Sequence, residues 1–218
     1  MGNIKGNLEM NNKNEILEFY KQTSLYTDLG LYKEFAKSLT DNIDDLCVLQ
    51  RMQIIHPIAF NNPNIRKESK CFWGDMTQVP ITRLDYEDYL FPTASSMIRE
   101  LLRKDKKYHK EREAKNKIHI TCRGEAILLA AILKAKGYSA RVRVGFGPYL
   151  KYDGVAYDHW ITEYYDTNKD RWVLVDADMH CPIHEMEFDL NDIPRDKFIF
   201  GANAYLGMRN NQYKKEEI

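Results

Sequence analysis

Apolar positions along this chain change their period once. Over the first two thirds they recur at three- and four-residue spacing, as the inner face of a helix requires. Ile16, Leu17, Phe19 and Tyr20 do so first, and Tyr32, Phe35, Ala36 and Leu39 follow after a break at Gly30. Asn42 is a cap for a third helix with Leu46, Val48, Leu49 and Met52 on its inner side, and His56-Pro57 ends it, since the residue before a proline is driven out of helical geometry. Met97, Ile98, Leu101 and Leu102 mark another helix from Ser95 to Lys106. The run Ala126 to Leu133 is apolar on every side, so the helix from Cys122 to about Lys136 must be buried on most of its faces. Thr121 is placed to cap it and Gly137 to end it.

Beyond Gly137 the period falls to two. Ala140, Val142, Val144 and Phe146 alternate with Arg141, Arg143 and Gly145, the signature of a strand with one buried face. Gly147-Pro148 and Asp153-Gly154 mark a loop. His159 to Tyr165 and Arg171 to Asp176, rich in aromatic and β-branched residues, are two more strands. After Asp176 the pattern weakens, punctuated by Ile193-Pro194 and Gly201, and Phe198 to Leu206 returns to the core. The expected class is α+β, a buried central helix packed on an antiparallel sheet with an N-terminal helical region. Residues 1–13, polar and rich in Asn and Gly, read as a flexible tail; 14–110 as the helical region and a flap over the irregular stretch 61–82; 111–209 as the core of one compact unit. The charge run Lys104 to Lys117 reads as a solvated loop.

Composition narrows the function. Apolar residues make up 44% of the 218, enough for a full core, and 32 basic residues balance 32 acidic ones. No global charge draws the chain to nucleic acid or to an anionic membrane. No apolar run reaches the length of a membrane span, and the start Met1-Gly2-Asn3-Ile4-Lys5-Gly6 has no apolar stretch for export. Four widely spaced cysteines fit reduced thiols, so a cytoplasmic protein is expected. Cys181-x-x-His184 is half of a zinc pattern without a second half nearby, so no metal or cofactor is expected.

Three residues carry the candidate chemistry: Cys122, His159 and Asp176. The start of a helix favours a thiolate over a thiol, because its free N–H groups and dipole stabilise the anion, and a histidine beside it adds to the effect. The Cys122 N–H could then donate to the oxyanion of a tetrahedral intermediate. With a four-residue turn over Asp166-Thr167-Asn168-Lys169, Tyr165 faces Asp170 and His159 faces Asp176 on one side of the sheet. The aspartate would hold one ring nitrogen and leave the other for sulfur. Asp178 is a rival for that third role.

These blocks resemble the transglutaminase-like superfamily, whose core belongs to the papain-like thiol enzymes. The matching segments are Cys122 with the helix to Gly137, Gly137 to Phe146, Asp158-His159-Trp160, and Arg171 to Asp176. Tyr26-Thr27-Asp28-Leu29-Gly30 and Ile55-His56-Pro57 resemble a bacterial subgroup of that superfamily. The resemblance implies attack on an amide or ester carbonyl through an acyl-thioester, with release to water (hydrolase, amidase or protease) or to an amine (acyltransferase). It leaves a catalytically inactive binding protein as the alternative, since the superfamily has inactive members. The expected substrate is a peptide, a protein or a small amide or ester, with Arg123 and Trp160 as candidate substrate-binding residues. Trp73 or Gln78, in the irregular stretch, could supply a second oxyanion donor, but no spacing favours either and neither joins the catalytic set; Tyr149 and Tyr152 could form a rim. The chain shows none of the calcium loops of the crosslinking members.

Overall fold

The structure, a computed structural model, describes residues 2–57, 73–83, 87–150, 157–179 and 186–213, with side-chain surroundings for all of these except 2–11 and 81. Tyr152, Asp153-Gly154, Cys71, Cys181 and His184, and the first part of the expected flap, lie outside the described residues.

Helix α1 spans Gly2–Lys21 and so begins within the stretch expected as a tail. That stretch holds no proline or β-branched run to stop a helix growing back from Ile16 and Leu17. The end of α1 is tied down by Lys134, whose Nζ donates to the carbonyls of Tyr20 and, at 2.6 Å, Gln22, while Ser139 Oγ donates to the Leu17 carbonyl at 2.8 Å. The Tyr20 carbonyl is one of those that a helix end leaves without an internal partner. Helix α2 (Lys33–Lys37) follows a 3₁₀ turn, and α3 (Ile43–Arg51) is capped by Asn42, whose side chain accepts from the Asp45 N–H at 3.0 Å. Strand β1 (Ile54–Ile55), helix α4 (Glu87–Leu90) and helix α5 (Ala94–Lys104) come next. Thr93 and Ser96 close a reciprocal capping box at the start of α5.

Strand β2 (Ile118–His119) leads directly into α6 (Cys122–Ala135). From Gly124 to Leu133 every residue of α6 is buried, as its unbroken apolar run requires. Its far end closes as a Schellman motif: the Tyr138 N–H reaches the Leu133 carbonyl, the Gly137 N–H reaches that of Lys134, and Gly137 takes φ +93°.

A four-stranded antiparallel sheet lies against α6, in the order β5–β4–β3–β6, from β3 (Ala140–Phe146), β4 (Asp158–Asp166), β5 (Arg171–Val175) and β6 (Ile199–Phe200). Helix α7 (Gly201–Arg209) ends the described chain. The sheet covers one side of α6 and α2, α3 and α5 cover the other, so the class is α+β. Two buried polar side chains pin the helix in place. Gln50 Nε2 donates to the Glu125 carbonyl and Thr162 Oγ1 to that of Ala126, both at 3.0 Å.

Two expectations change here. Strand β3 is not one-sided: Val144 is exposed and Gly145 buried. Its arginine face is covered as well, with the Arg141 guanidinium 4.1 Å from the Trp172 ring centre and 2.6 Å from the buried Glu163 carboxylate. The charge run is also only partly solvated. Arg112 is 3% exposed and donates to the carbonyls of Leu101, Asp105, Lys107 and Asn116 and to Gln53 Oε1. Its guanidinium thereby satisfies the turning backbone that would otherwise be stranded from water. No helix among the described residues is long and apolar enough to cross a membrane.

Candidate active site

Cys122 opens α6, partly exposed, between the β2 bridge and the buried turns of the helix. The chain bends tightly there: a Cβ on Gly124 would lie 2.9 Å from Ile120 Cβ, so this position takes glycine. Thr121 stands at the N-cap, but its side chain caps nothing. Its hydroxyl and its N–H both donate to Asp88 Oδ1, at 3.1 and 3.0 Å, because α4 brings that carboxylate closer than the first turn of α6. The first-turn N–H groups therefore have no side-chain cap and face the sulfur's end of the helix.

His159 and Asp176 meet, though in a different register from the expected one. The turn has four residues, but it is Thr167 to Asp170, so Asp166 pairs with Arg171 and Tyr165 with Trp172. Sliding the turn by one residue moves the pairing sum by two, which keeps each side chain on its own face. Asp176 lies just past the last paired residue, Val175, and approaches His159 diagonally. His159 Nε2 is 2.8 Å from Asp176 Oδ2. The Cys122 side chain also favours a charged ring, and the nitrogen that Asp176 leaves free, Nδ1, is the one available to it. Burial opposes a charge on this imidazole, but Asp176 and Cys122 outweigh it and hold the ring well above the ordinary histidine value. Both residues are buried, Asp176 completely.

Tyr149, expected at a rim, is part of the site. Its hydroxyl donates to Asp176 Oδ2 at 2.8 Å, and its ring meets that of His159 edge to face. Burial first, then Asp176, pushes its phenol upward, so it stays a donor. The Met179 N–H donates to the other carboxylate oxygen at 3.2 Å. Asp176 is thus held by three groups.

Asp178 does not share His159. It lies with His56 and Cys122, and one ligand atom from each falls within 4.8 Å of the others. His56 Nε2 stands 3.9 Å from Asp178 Oδ2, and Arg51 Nη2 stands 3.7 Å from Asp178 Oδ1. Arg51 also pairs with the buried Glu125 at 3.0 Å and lies over the Trp73 ring. Burial raises Glu125 well above the carboxylate range despite Arg51, and the neighbouring Asp178 adds to the rise. Burial also works against the Asp178 charge, but His56 and Arg51 prevail and lower it. His56 is pushed down, by burial above all.

The parallel bridge of β1 to β2 explains why His56 is here. Ile54 pairs with Ile118 and Ile55 with His119, so the residue after β1 arrives beside the chain entering Cys122. The segment Ile55-His56-Pro57 was the only trace of this in the sequence.

Arg123 and Trp160 follow the sulfur and the imidazole in the chain and line a cavity of about 510 Å³, together with Tyr20, Tyr26, Lys134 and Arg141 among others. Cys122, His159 and Asp176 do not line it. Arg123 Nη2 meets Asp88 Oδ2 at 3.1 Å while part of its side chain stays exposed. Trp73 is buried beside Arg51, whereas Gln78 is exposed and donates to Asp75 at 3.0 Å.

No family model matches the chain, and no curated protein is similar to it. Among solved structures it is similar to a candidate cysteine protease from Cytophaga hutchinsonii, with a TM-score of 0.47 and 13% identity over 86% of this chain and 48% of that one. The chain spans about half the length of that protein. A likeness of this degree adds no functional argument, and the chemistry rests on the side chains themselves.

Proposed function

We propose that this protein is a papain-like, transglutaminase-like cysteine enzyme that acts on amide or ester carbonyls. The observation that carries this reading is the buried pair of His159 and Asp176, with Nε2 2.8 Å from Oδ2, on whose ring the Cys122 side chain also acts. Cys122 is the nucleophile, His159 the acid and base, and Asp176 the group that orients the ring.

The thiolate of Cys122 attacks the carbonyl carbon, forming a C–S bond and sending the carbonyl electron pair to oxygen. The N–H groups opening α6 favour that oxyanion. As the tetrahedral centre collapses, the His159 imidazolium gives its proton to the departing amine or alcohol, leaving an acyl-thioester. The neutral ring then takes a proton from water or an acceptor amine, which attacks the thioester and restores the sulfur. Asp176 keeps Nε2 engaged throughout, so Nδ1 works at the sulfur. Arg123 and Trp160 line a cavity that the three residues do not reach, and would bind a part of the substrate away from the sulfur. The N-terminal helices belong to the same working unit, because Arg51 and His56 reach the residues around Cys122.

The test is capture of the intermediate. With a panel of esters and amides, intact-mass and peptide-mapping measurements are expected to find an acyl adduct on Cys122, absent in Cys122→Ser. Adding amines separates transfer from hydrolysis. A panel in which no carbonyl compound acylates Cys122 argues for the inactive binding protein.

A further inference from the structure

The sulfur of Cys122 has a second set of neighbours that the proposed reaction does not use. His56 follows β1, Asp178 follows β5, and Cys122 opens α6, so three separate segments bring a nitrogen, an oxygen and a sulfur within 4.8 Å of one another. We infer that His56, Cys122 and Asp178 form a zinc site that, when filled, ties up the thiol and silences the enzyme.

The donor set selects the ion. Imidazole, thiolate and a single carboxylate oxygen suit a borderline-soft divalent metal, whereas Ca²⁺ and Mg²⁺ require more oxygen ligands. Three protein ligands leave the fourth tetrahedral position to water. Zinc bonds of about 2.0–2.3 Å place ligand atoms roughly 3.3–3.6 Å apart, so the three groups close by about 1.5 Å at most to hold the ion. The His56 to Asp178 separation of 3.9 Å is already near that value.

The surroundings of Asp178 fit a ligand. Arg51 approaches Oδ1, which leaves Oδ2 turned to His56. The buried Glu125, paired with Arg51, neighbours the same carboxylate. Such second partners fix a ligand's orientation and contribute to affinity. Coordination replaces the S–H proton with a Zn–S bond, and the proton leaves to solvent, with no change of oxidation state. Binding itself stands apart from the reaction; only the silencing rests on the thiol-enzyme reading.

Cobalt(II) is the direct probe, because a thiolate–cobalt bond gives a charge-transfer absorption without any turnover. Titration of the full chain is expected to produce that band, with zinc displacing it and slowing site-resolved alkylation of Cys122. Cys122→Ser should abolish the band. His56→Ala, its milder partner His56→Gln and Asp178→Asn should each weaken binding by about 10-fold or more. His159→Ala should bind as the wild type does. A band that persists in Cys122→Ser, full affinity in the His56 and Asp178 variants, or loss of binding in His159→Ala each overturns the site. Turnover without metal binding removes this inference alone, and metal binding without turnover removes the enzymatic reading alone.

Discussion

The His159 imidazole is held between a buried carboxylate and a sulfur, and its titration follows from both. Its folded value lies well above the ordinary 6.5, because Asp176 and Cys122 outweigh burial. A raised histidine stabilises the fold fully below the unfolded-state value, and that stability is lost as pH rises through the folded value. Stability is therefore expected to decline from neutral toward alkaline pH. In Asp176→Asn the opposite charge is gone, and the ring is expected to titrate about 1 unit or more lower by NMR. A ring that titrates unchanged in Asp176→Asn would break the link between the two residues. That His159 and Asp176 meet was legible in the sequence, because each sits at the end of a strongly periodic segment. Tyr149 and His56 were not: the first comes from a short 3₁₀ turn, and the second depends on a two-residue parallel bridge that no periodicity records.

At the scale of elements, strand β3 is the hinge of the sheet, paired with β4 on one side and β6 on the other. Gly145 sits at the crossing, opposite both His159 and Phe200. A Cβ there would stand 2.1 Å from the Ile199 carbonyl oxygen and 2.9 Å from Phe198 Cε1, and backbone cannot yield as a side-chain tip can. Gly145→Ala is expected to cost about 1–3 kcal/mol in denaturant unfolding. Gly201→Ala, whose Cβ meets only the Val144 carbonyl at 3.5 Å, should stay within about 0.5 kcal/mol of wild type. Equal losses at the two positions would contradict the close approach of β6. The sequence announced strands 140–146, 159–165 and 171–176 through their alternation, and the structure differs by one residue at three of the six ends. Turn placement was harder, because Asp166, Asn168 and Asp170 all favour turns and so do not fix where the turn begins. The face survived the slip because pairing moved by an even number.

Across the whole molecule, charge is buried where chain segments distant in sequence meet. Arg51 from α3, Glu125 from α6 and Asp178 after β5 form one such junction, with side chains at most 11% exposed. Arg51→Met leaves Asp178 without its cation and is expected to destabilise by about 3–5 kcal/mol, read from the urea midpoint. Glu125→Gln keeps a neutral donor in place of a carboxyl that burial already raises, so its loss should be much smaller. Comparable losses would show Glu125 working as a charge. The sequence could not reveal this junction or the buried Arg112, since a charged residue in a polar run looks solvated until its partners are known.

The activation of Cys122 by His159 is tested most directly by the pH dependence of iodoacetamide alkylation at Cys122, resolved by peptide mapping, in wild type and in His159→Ala. The wild-type rate is expected to exceed that of His159→Ala across neutral pH, because an imidazole beside the sulfur favours the reactive thiolate. Superimposable profiles for the two proteins would contradict the thiolate–imidazolium pair.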